Sequence, residues 1–192
     1  MVIGIGGGYC SGKSTVAQIL IDAGYREVNV DALGHSALMH SRDQVVKRFG
    51  PQILAEDGAI DRARLGAVVF ADQAARRDLE RIVHPRMVAE AEELIEAAGV
   101  TPVAMHAALL FSMGLDRLCD RILWVRAPLF TRIRRGMARD NRRVGRILRI
   151  LWTQRTLRPQ PGPESADIDS VVNRGNRDAL VGQLRRLRLP GI

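Results

Sequence analysis

Lysine is nearly missing from this chain: of 29 basic residues only Lys13 and Lys47 are lysines, and the remainder are arginines. Cysteine is scarce as well. Cys10 and Cys119 are too few for a disulfide framework and lack the spacing of zinc ligands, so a reducing compartment suits both. Aromatic residues make up 4% of the 192, which leaves few surfaces on which nucleic-acid bases could stack. No apolar run approaches the roughly 18 residues needed to span a bilayer. The opening Met1-Val2-Ile3-Gly4-Ile5 has neither a basic segment nor a signal-type cleavage site. A cytoplasmic globular chain with no membrane partner is expected, and a monomer is the expected state. The formal charge of +8 and pI near 10.8 would ordinarily raise nucleic-acid binding. However, the arginines are spread along the helical stretches rather than gathered in a tail. Small polyanionic substrates, or arginine standing in for lysine on solvated faces, account for the same excess, and no nucleic-acid partner is expected.

What is present is an alternation. Val2–Gly6 is an apolar run ending at glycine, as a buried parallel strand would be. Val16, Ile19, Leu20 and Ala23 then fall at helical spacing, with Gly24 placed for a helix C′ position. Further strands are predicted at Glu27–Val30, Pro102–Met105, Arg121–Val125 and Ile168–Val172, nearly all separated by helical stretches. Strands alternating with helices predict an α/β fold, a parallel five-stranded sheet flanked by helices. Residues 43–99 break the rhythm and predict a helical insertion. Within it Gly50-Pro51 ends one helix, Asp61 caps the next (burying Leu65, Val68 and Val69), Asp72 caps another, and His84-Pro85 opens a longer one. A second arginine-rich helical segment covers about 128–158, with arginines at 132, 134, 135, 139, 142, 143, 146 and 149. Pro159-Gln160-Pro161-Gly162-Pro163 reads as a stiff connector.

Gly7-Gly8-Tyr9-Cys10-Ser11-Gly12-Lys13-Ser14 fits G-x-x-x-x-G-K-[ST], and Thr15 follows. Such a loop curls so that successive N–H groups face an anion, and the helix behind it adds its positive end. Lys13 is placed for the β- and γ-phosphates of ATP, and the Ser14 hydroxyl for Mg²⁺. The apolar strand before the loop and the amphipathic helix after it are the context that the motif requires. Cys10 inside the loop reads either as a thiol whose alkylation would block ATP or as a small residue that is merely tolerated. Asp31 ends the second predicted strand, 18 residues after Lys13. A carboxylate there can take a proton from an attacking hydroxyl or support a metal shell, or it can cap the helix that begins at Ala32. No Asn-Lys-x-Asp guanine-reading motif occurs.

The phosphate loop, Val28-Asn29-Val30-Asp31-Ala32-Leu33-Gly34-His35, Gly58-Ala59-Ile60-Asp61-Arg62, Leu65–Phe70, Leu79-Glu80-Arg81-Ile82-Val83-His84-Pro85, Leu109-Leu110-Phe111 and Val172-Asn173 follow one another in an order that resembles the dephospho-CoA kinase family. The resemblance runs over nearly the whole chain. It implies transfer of the γ-phosphoryl of ATP to the ribose 3′-hydroxyl of dephospho-CoA, on a P-loop nucleotide core with a substrate-binding insertion and a mobile lid. Asp31 falls on the family's second aspartate of an Asp-x-Asp pair, its general base, while Asn29 replaces the first. His35 and His84 fall in segments expected to meet the acceptor, although His84 could instead cap the helix begun by Pro85. Arg135 and Arg139 lie one turn apart on the lid, and their planar forks suit phosphate oxygens. Arg139 followed by Asp140 resembles the family's lid arginine, and the other lid arginines read as a solvated face.

Two further departures stand out. His106 and Ser112 occupy positions where the family often carries acids, and His106 also reads as a partly buried histidine with satisfied hydrogen bonds. The leucines and isoleucines of Ile147–Leu151, with Leu180, Leu184 and Leu187, read as core. Two other functions fit the residues: a P-loop kinase for another small metabolite or nucleoside, and a basic nucleic-acid-binding module that keeps a vestigial loop.

Overall fold

The computed structural model describes residues 1–140, 144–154, 158–159 and 166–192. Arg142, Arg143 and the stretch Gln160-Pro161-Gly162-Pro163 lie outside the described residues. Two compact units are present, Met1–Asn29 with Ile95–Ile192, and Val30–Leu94.

The first unit is built on five parallel strands: β1 (Val2–Gly7), β2 (Arg26–Asn29), β3 (Val103–His106), β4 (Arg121–Arg126) and β5 (Asp167–Val172). They lie side by side in the order β2-β3-β1-β4-β5. All six residues of β1 are buried, because a central parallel strand is covered on both faces. The ends of the other strands depart slightly from the sequence reading. β3 begins after Pro102, which has no N–H to give the ladder, although its carbonyl still accepts from Arg26 N at 2.8 Å. β2 stops at Asn29 because Val30 already belongs to a helix.

Helix α1 (Lys13–Asp22) buries Val16, Ala17, Ile19 and Leu20. These join Ile3, Ile5, Leu123 and Val125 of the sheet. Burying each large aliphatic side chain is worth about 1.5–3 kcal/mol, so this layer fixes where α1 begins relative to β1. Gly24, at φ +92, takes the left-handed position after the helix, and its N–H returns to Ile21 O at 2.9 Å. After β4 come α6 (Leu129–Asp140) and α7 (Val144–Thr153), and α8 (Arg177–Arg186) follows β5. Leu180 and Leu184 of α8 are core, with Leu187 partly buried against it. Ile147 and Leu151 of α7 are buried as expected, but Leu148 faces out, because a helix with one packed face leaves the neighbouring position in solvent.

The second unit is helical: α2 (Val30–His40), α3 (Arg42–Phe49), α4 (Arg62–Ala71) and α5 (Gln73–Glu96, whose last two residues belong to the first unit). α3 stops at Gly50-Pro51. Asp61 caps α4 by accepting from Ala63 N at 2.8 Å and Arg64 N at 3.1 Å. Asp72 accepts from Ala74 N at 2.7 Å at the start of α5. α4 buries Leu65 and half-buries Val69, while Val68 points outward, contrary to the sequence reading. Nor does His84-Pro85 open a helix: Pro85 lies inside α5. The helix continues through the proline because good helix formers flank it and both halves are held by buried side chains, Ala75 and Val83 before it and Met87, Val88 and Ala91 after it. Glu90, also buried, accepts from Arg86 Nε at 3.0 Å and from Ser36 Oγ at 3.2 Å, and lies 2.9 Å from His40 Nδ1. α2 is thereby pinned to α5. Among the described residues no helix is long and apolar enough to cross a membrane.

Candidate active site

The connection from β1 to α1 is the phosphate loop. It leaves Gly7 at the carboxyl end of the central strand, where sheet order changes direction between β3 and β4 and a crevice opens in such sheets. Ser11 N closes a turn onto Gly8 O at 3.2 Å. Cys10 (φ 54) and Gly12 (φ 96) are both left-handed, and this pair of reversals curls the chain. At Gly12 a Cβ would collide with the buried side-chain amide of Asn173, so only glycine fits both the conformation and the space.

The carbonyls of the loop are spoken for by cations. Lys13 Nζ donates to Gly7 O at 2.9 Å and Gly8 O at 3.4 Å. Arg132 Nε donates to Tyr9 O at 2.7 Å. Arg135 Nη1 reaches Ser11 O at 3.2 Å and Cys10 O at 3.5 Å, while its Nη2 donates to Asn173 Oδ1 at 2.7 Å. With five consecutive carbonyls turned to positive groups, the loop can turn N–H groups the other way. Those of Cys10, Gly12 and Ser14 donate to no backbone carbonyl among the described residues. The curl therefore presents donors to an anion, and the first turn of α1 stands behind it.

Three arginines of α6 face this loop: Arg132, Arg135 and, with its guanidinium carbon 5.1 Å from the centre of the Tyr9 ring, Arg139. Arg132 is thus no part of a solvated face, as the sequence reading had it. Burial pulls the Arg132 and Arg135 guanidinium groups below their usual range, and Arg134 adds to this at Arg135. The spacing 132, 135, 139 is one helical face and was the signal that could have grouped all three. Gln154 and Asn173 were missed as contributors to the site, the first because a lone glutamine after a helix carries no pattern. Asn173 is buried just past β5.

At the neighbouring strand ends, Asn29 of β2 pairs in register with His106 of β3. His106 is buried, with Nε2 2.8 Å from Glu27 Oε1. It is a satisfied histidine, held by a carboxylate from its own sheet. Ser112 donates to Leu109 O at 3.2 Å within its own turn.

Asp31 is not at the end of a strand but in the first turn of α2, exposed, with exposed His35 one turn further on the same helix. It therefore lies inside the helix rather than capping one that starts at Ala32. His84 sits mid-helix in α5, half-buried, which excludes a capping role; burial lowers its pKa, Glu80 raises it and Arg76 lowers it. No cluster of three or more His, Cys, Asp or Glu side chains among the described residues could hold a metal by itself. Ser14, in the first turn of α1, exposes its hydroxyl to solvent. That donor set fits Mg²⁺, which keeps several waters and takes one or two protein oxygens plus phosphate oxygens rather than an all-protein cage.

The two cysteines differ sharply. Cys119 is buried, donates to Leu115 O at 3.4 Å, and its thiol is pushed up to about 12 by burial, with Asp116 and Asp120 adding to the effect. Cys10 is partly exposed in the loop. With a disulfide thiol reagent at pH 8, one thiol per native chain is expected to react quickly and the second only after denaturation, since the thiolate is the reactive form. ATP should slow the first. Rapid labelling of both thiols in the native chain would refute this.

A parallel α/β sheet with a lysine-bearing glycine loop at the end of its central strand defines a P-loop nucleotide-binding protein. The family model described as dephospho-CoA kinase matches residues 1–161. A Geobacter sulfurreducens dephospho-CoA kinase is 37% identical, over 97% of this chain and 96% of its own. One from Bacillus licheniformis is 33% identical, over 96% and 94%. A Thermus thermophilus crystal structure superposes with a TM-score of 0.78 at 28% identity, covering 98% of this chain and 96% of that one. The Campylobacter jejuni dephospho-CoA kinase structure shares the fold, with a TM-score of 0.66 at 21% identity over 97% and 96%. The chain belongs to the dephospho-CoA kinase family. It is accordingly an ATP-dependent kinase of coenzyme A biosynthesis that phosphorylates dephospho-CoA.

Proposed function

We propose that the acceptor atom is the ribose 3′-hydroxyl of dephospho-CoA and that Asp31 is its general base. The observation that carries this reading is the curled loop whose carbonyls from Gly7 to Ser11 are held by cations, with the N–H groups of Cys10, Gly12 and Ser14 left for a triphosphate. The 3′ oxygen attacks the γ-phosphorus, the bond to the β-γ bridging oxygen breaks, ADP leaves, and the hydroxyl proton passes to the Asp31 carboxylate.

Lys13 and the backbone amides of Cys10, Gly12 and Ser14, within the loop Gly7–Thr15, hold the phosphates. Arg139 and Arg135 add charge to the moving phosphoryl. Ser14 would hold Mg²⁺, which when bound supplies positive charge to the phosphate oxygens. His35 of α2 and His84, which lies in the helical insertion of about residues 43–99, orient the acceptor. The segment of about 128–158 is the lid, whose closure keeps water from competing as acceptor. A cytoplasmic monomer completes the reading.

The test is a coupled ADP-release assay with ATP, Mg²⁺ and a panel of acceptors. ADP should appear in step with CoA when dephospho-CoA is present. Comparable turnover on an unrelated nucleoside or sugar acid, or none on dephospho-CoA, would overturn it.

A further inference from the structure

The two peptide groups that flank Tyr9 are each held by a side chain far along the chain. The Tyr9 N–H donates to Gln154 Oε1 at 2.7 Å, and the Tyr9 carbonyl accepts from Arg132 Nε at 2.7 Å. Arg132 Nη2 also lies 3.4 Å from the same Gln154 oxygen. Two donors converge on that atom, so the network itself requires the carbonyl of the carboxamide, not its amino group, to face the loop. The approach is close: a Cβ on Gly8 would stand 2.6 Å from Arg132 Nη2 and 3.3 Å from Gln154 Oε1.

We infer that Gln154 is a positioning residue of the phosphate loop. Resting on the phosphate-loop reading above, this assignment deepens it. A peptide plane has one rotational freedom that matters in such a loop: which way its N–H and C=O point. Gln154 takes the Tyr9 N–H toward α7 and so holds the Gly8–Tyr9 peptide, while Arg132 takes the Tyr9 carbonyl and holds the Tyr9–Cys10 peptide; the two planes that meet at Tyr9 are both fixed. Because the Tyr9 carbonyl and the Cys10 N–H share a plane and point opposite ways, holding that carbonyl leaves the Cys10 N–H available to an anion, with Cys10 left-handed at φ 54. Without the glutamine oxygen, the Gly8–Tyr9 peptide loses its hold toward α7, and the loop samples conformations that do not fit the phosphates. Because Gln154 immediately follows α7, the same contact ties that helix to the nucleotide loop. Gln154 touches neither reacting atom and acts through the backbone alone.

The test compares Gln154→Met, which keeps length and removes the acceptor, with Gln154→Ala and with Lys13→Ala, all in the full chain with MgATP and dephospho-CoA. Gln154→Met and Gln154→Ala should each raise KM for ATP about tenfold, the worth of one part-buried hydrogen bond, with kcat within about threefold and KM for dephospho-CoA unchanged. Calorimetric titration with MgADP should show the same loss of affinity, which separates loop geometry from chemistry. Wild-type KM for ATP in Gln154→Met overturns the assignment, as does a loss shared equally by both substrates together with a lowered Tm. The Lys13→Ala arm keeps the two readings apart. If it collapses activity while Gln154→Met is silent, only the role of Gln154 fails. If Lys13→Ala is also silent, the phosphate-loop reading fails.

Discussion

Lys13→Ala is expected to lower kcat by about 10²–10³-fold, a loss of about 2.7–4 kcal/mol of transition-state stabilisation, while the chain stays folded. Lys13 is the ammonium nearest the loop carbonyls, and Lys47 lies in the other unit. In the structure it donates to Gly7 and Gly8 carbonyls, so removing it takes away two hydrogen bonds and the charge meant for the β- and γ-phosphates. Arg132 and Arg135 donate to the carbonyls of residues 9–11, so neither takes over the contacts that Lys13 makes with Gly7 and Gly8. Lys13→Arg should not restore activity: a planar guanidinium spreads its charge over three nitrogens where the site uses a compact ammonium. Steady-state kinetics with dephospho-CoA and a thermal melt decide the matter. A melt unchanged within about 2 °C with kcat reduced as stated is the expected pair of results. Turnover within threefold of wild type would remove Lys13 from the phosphate site.

Asp31→Asn is the second large effect, a fall in kcat of about 10²–10⁴-fold with KM for ATP little changed. The substitution keeps shape and removes the proton acceptor. Asp31 is exposed in the first turn of α2, so the amide costs the fold little. The split matters: loss of a base lowers kcat, whereas loss of a binding contact would raise KM. Because β2 runs directly into α2, Asp31 stands two residues beyond the last strand residue, Asn29. Asn29 cannot take over as base, since a carboxamide accepts no proton at neutral pH. Nor can His106, whose Nε2 is engaged with Glu27. Near-wild-type kcat in Asp31→Asn would end the assignment.

Much of the site could be read before the fold. The eight residues from Gly7 to Ser14 encode their own conformation through glycines and their own chemistry through one lysine. The apolar run before them and the 3.6-residue periodicity after them place the loop between a strand and a helix. Caps at Asp61 and Asp72 were legible for the same reason, since a carboxylate two residues before an N–H acts within one turn. Errors came where a local rule met a wider constraint. His84-Pro85 reads as a helix start because proline suits the first turn, yet flanking helix formers and burial on both sides carry α5 through it. Arg132 reads as solvated because arginine usually is, yet the Tyr9 carbonyl claims it.

The sequence by itself determined the order of strands and helices, the nucleotide loop and the family, because these depend on interactions within a few residues or on an ordered run of motifs. Tertiary structure alone decided that Gln154, Arg132 and Arg135, which lie 123–145 residues beyond the loop groups they bond, orient its peptides, and that Asn173 holds Arg135. A hydrogen bond of 2.7 Å across 145 residues leaves no periodic trace in the chain; it exists only once β1 and α7 have been packed into the same unit.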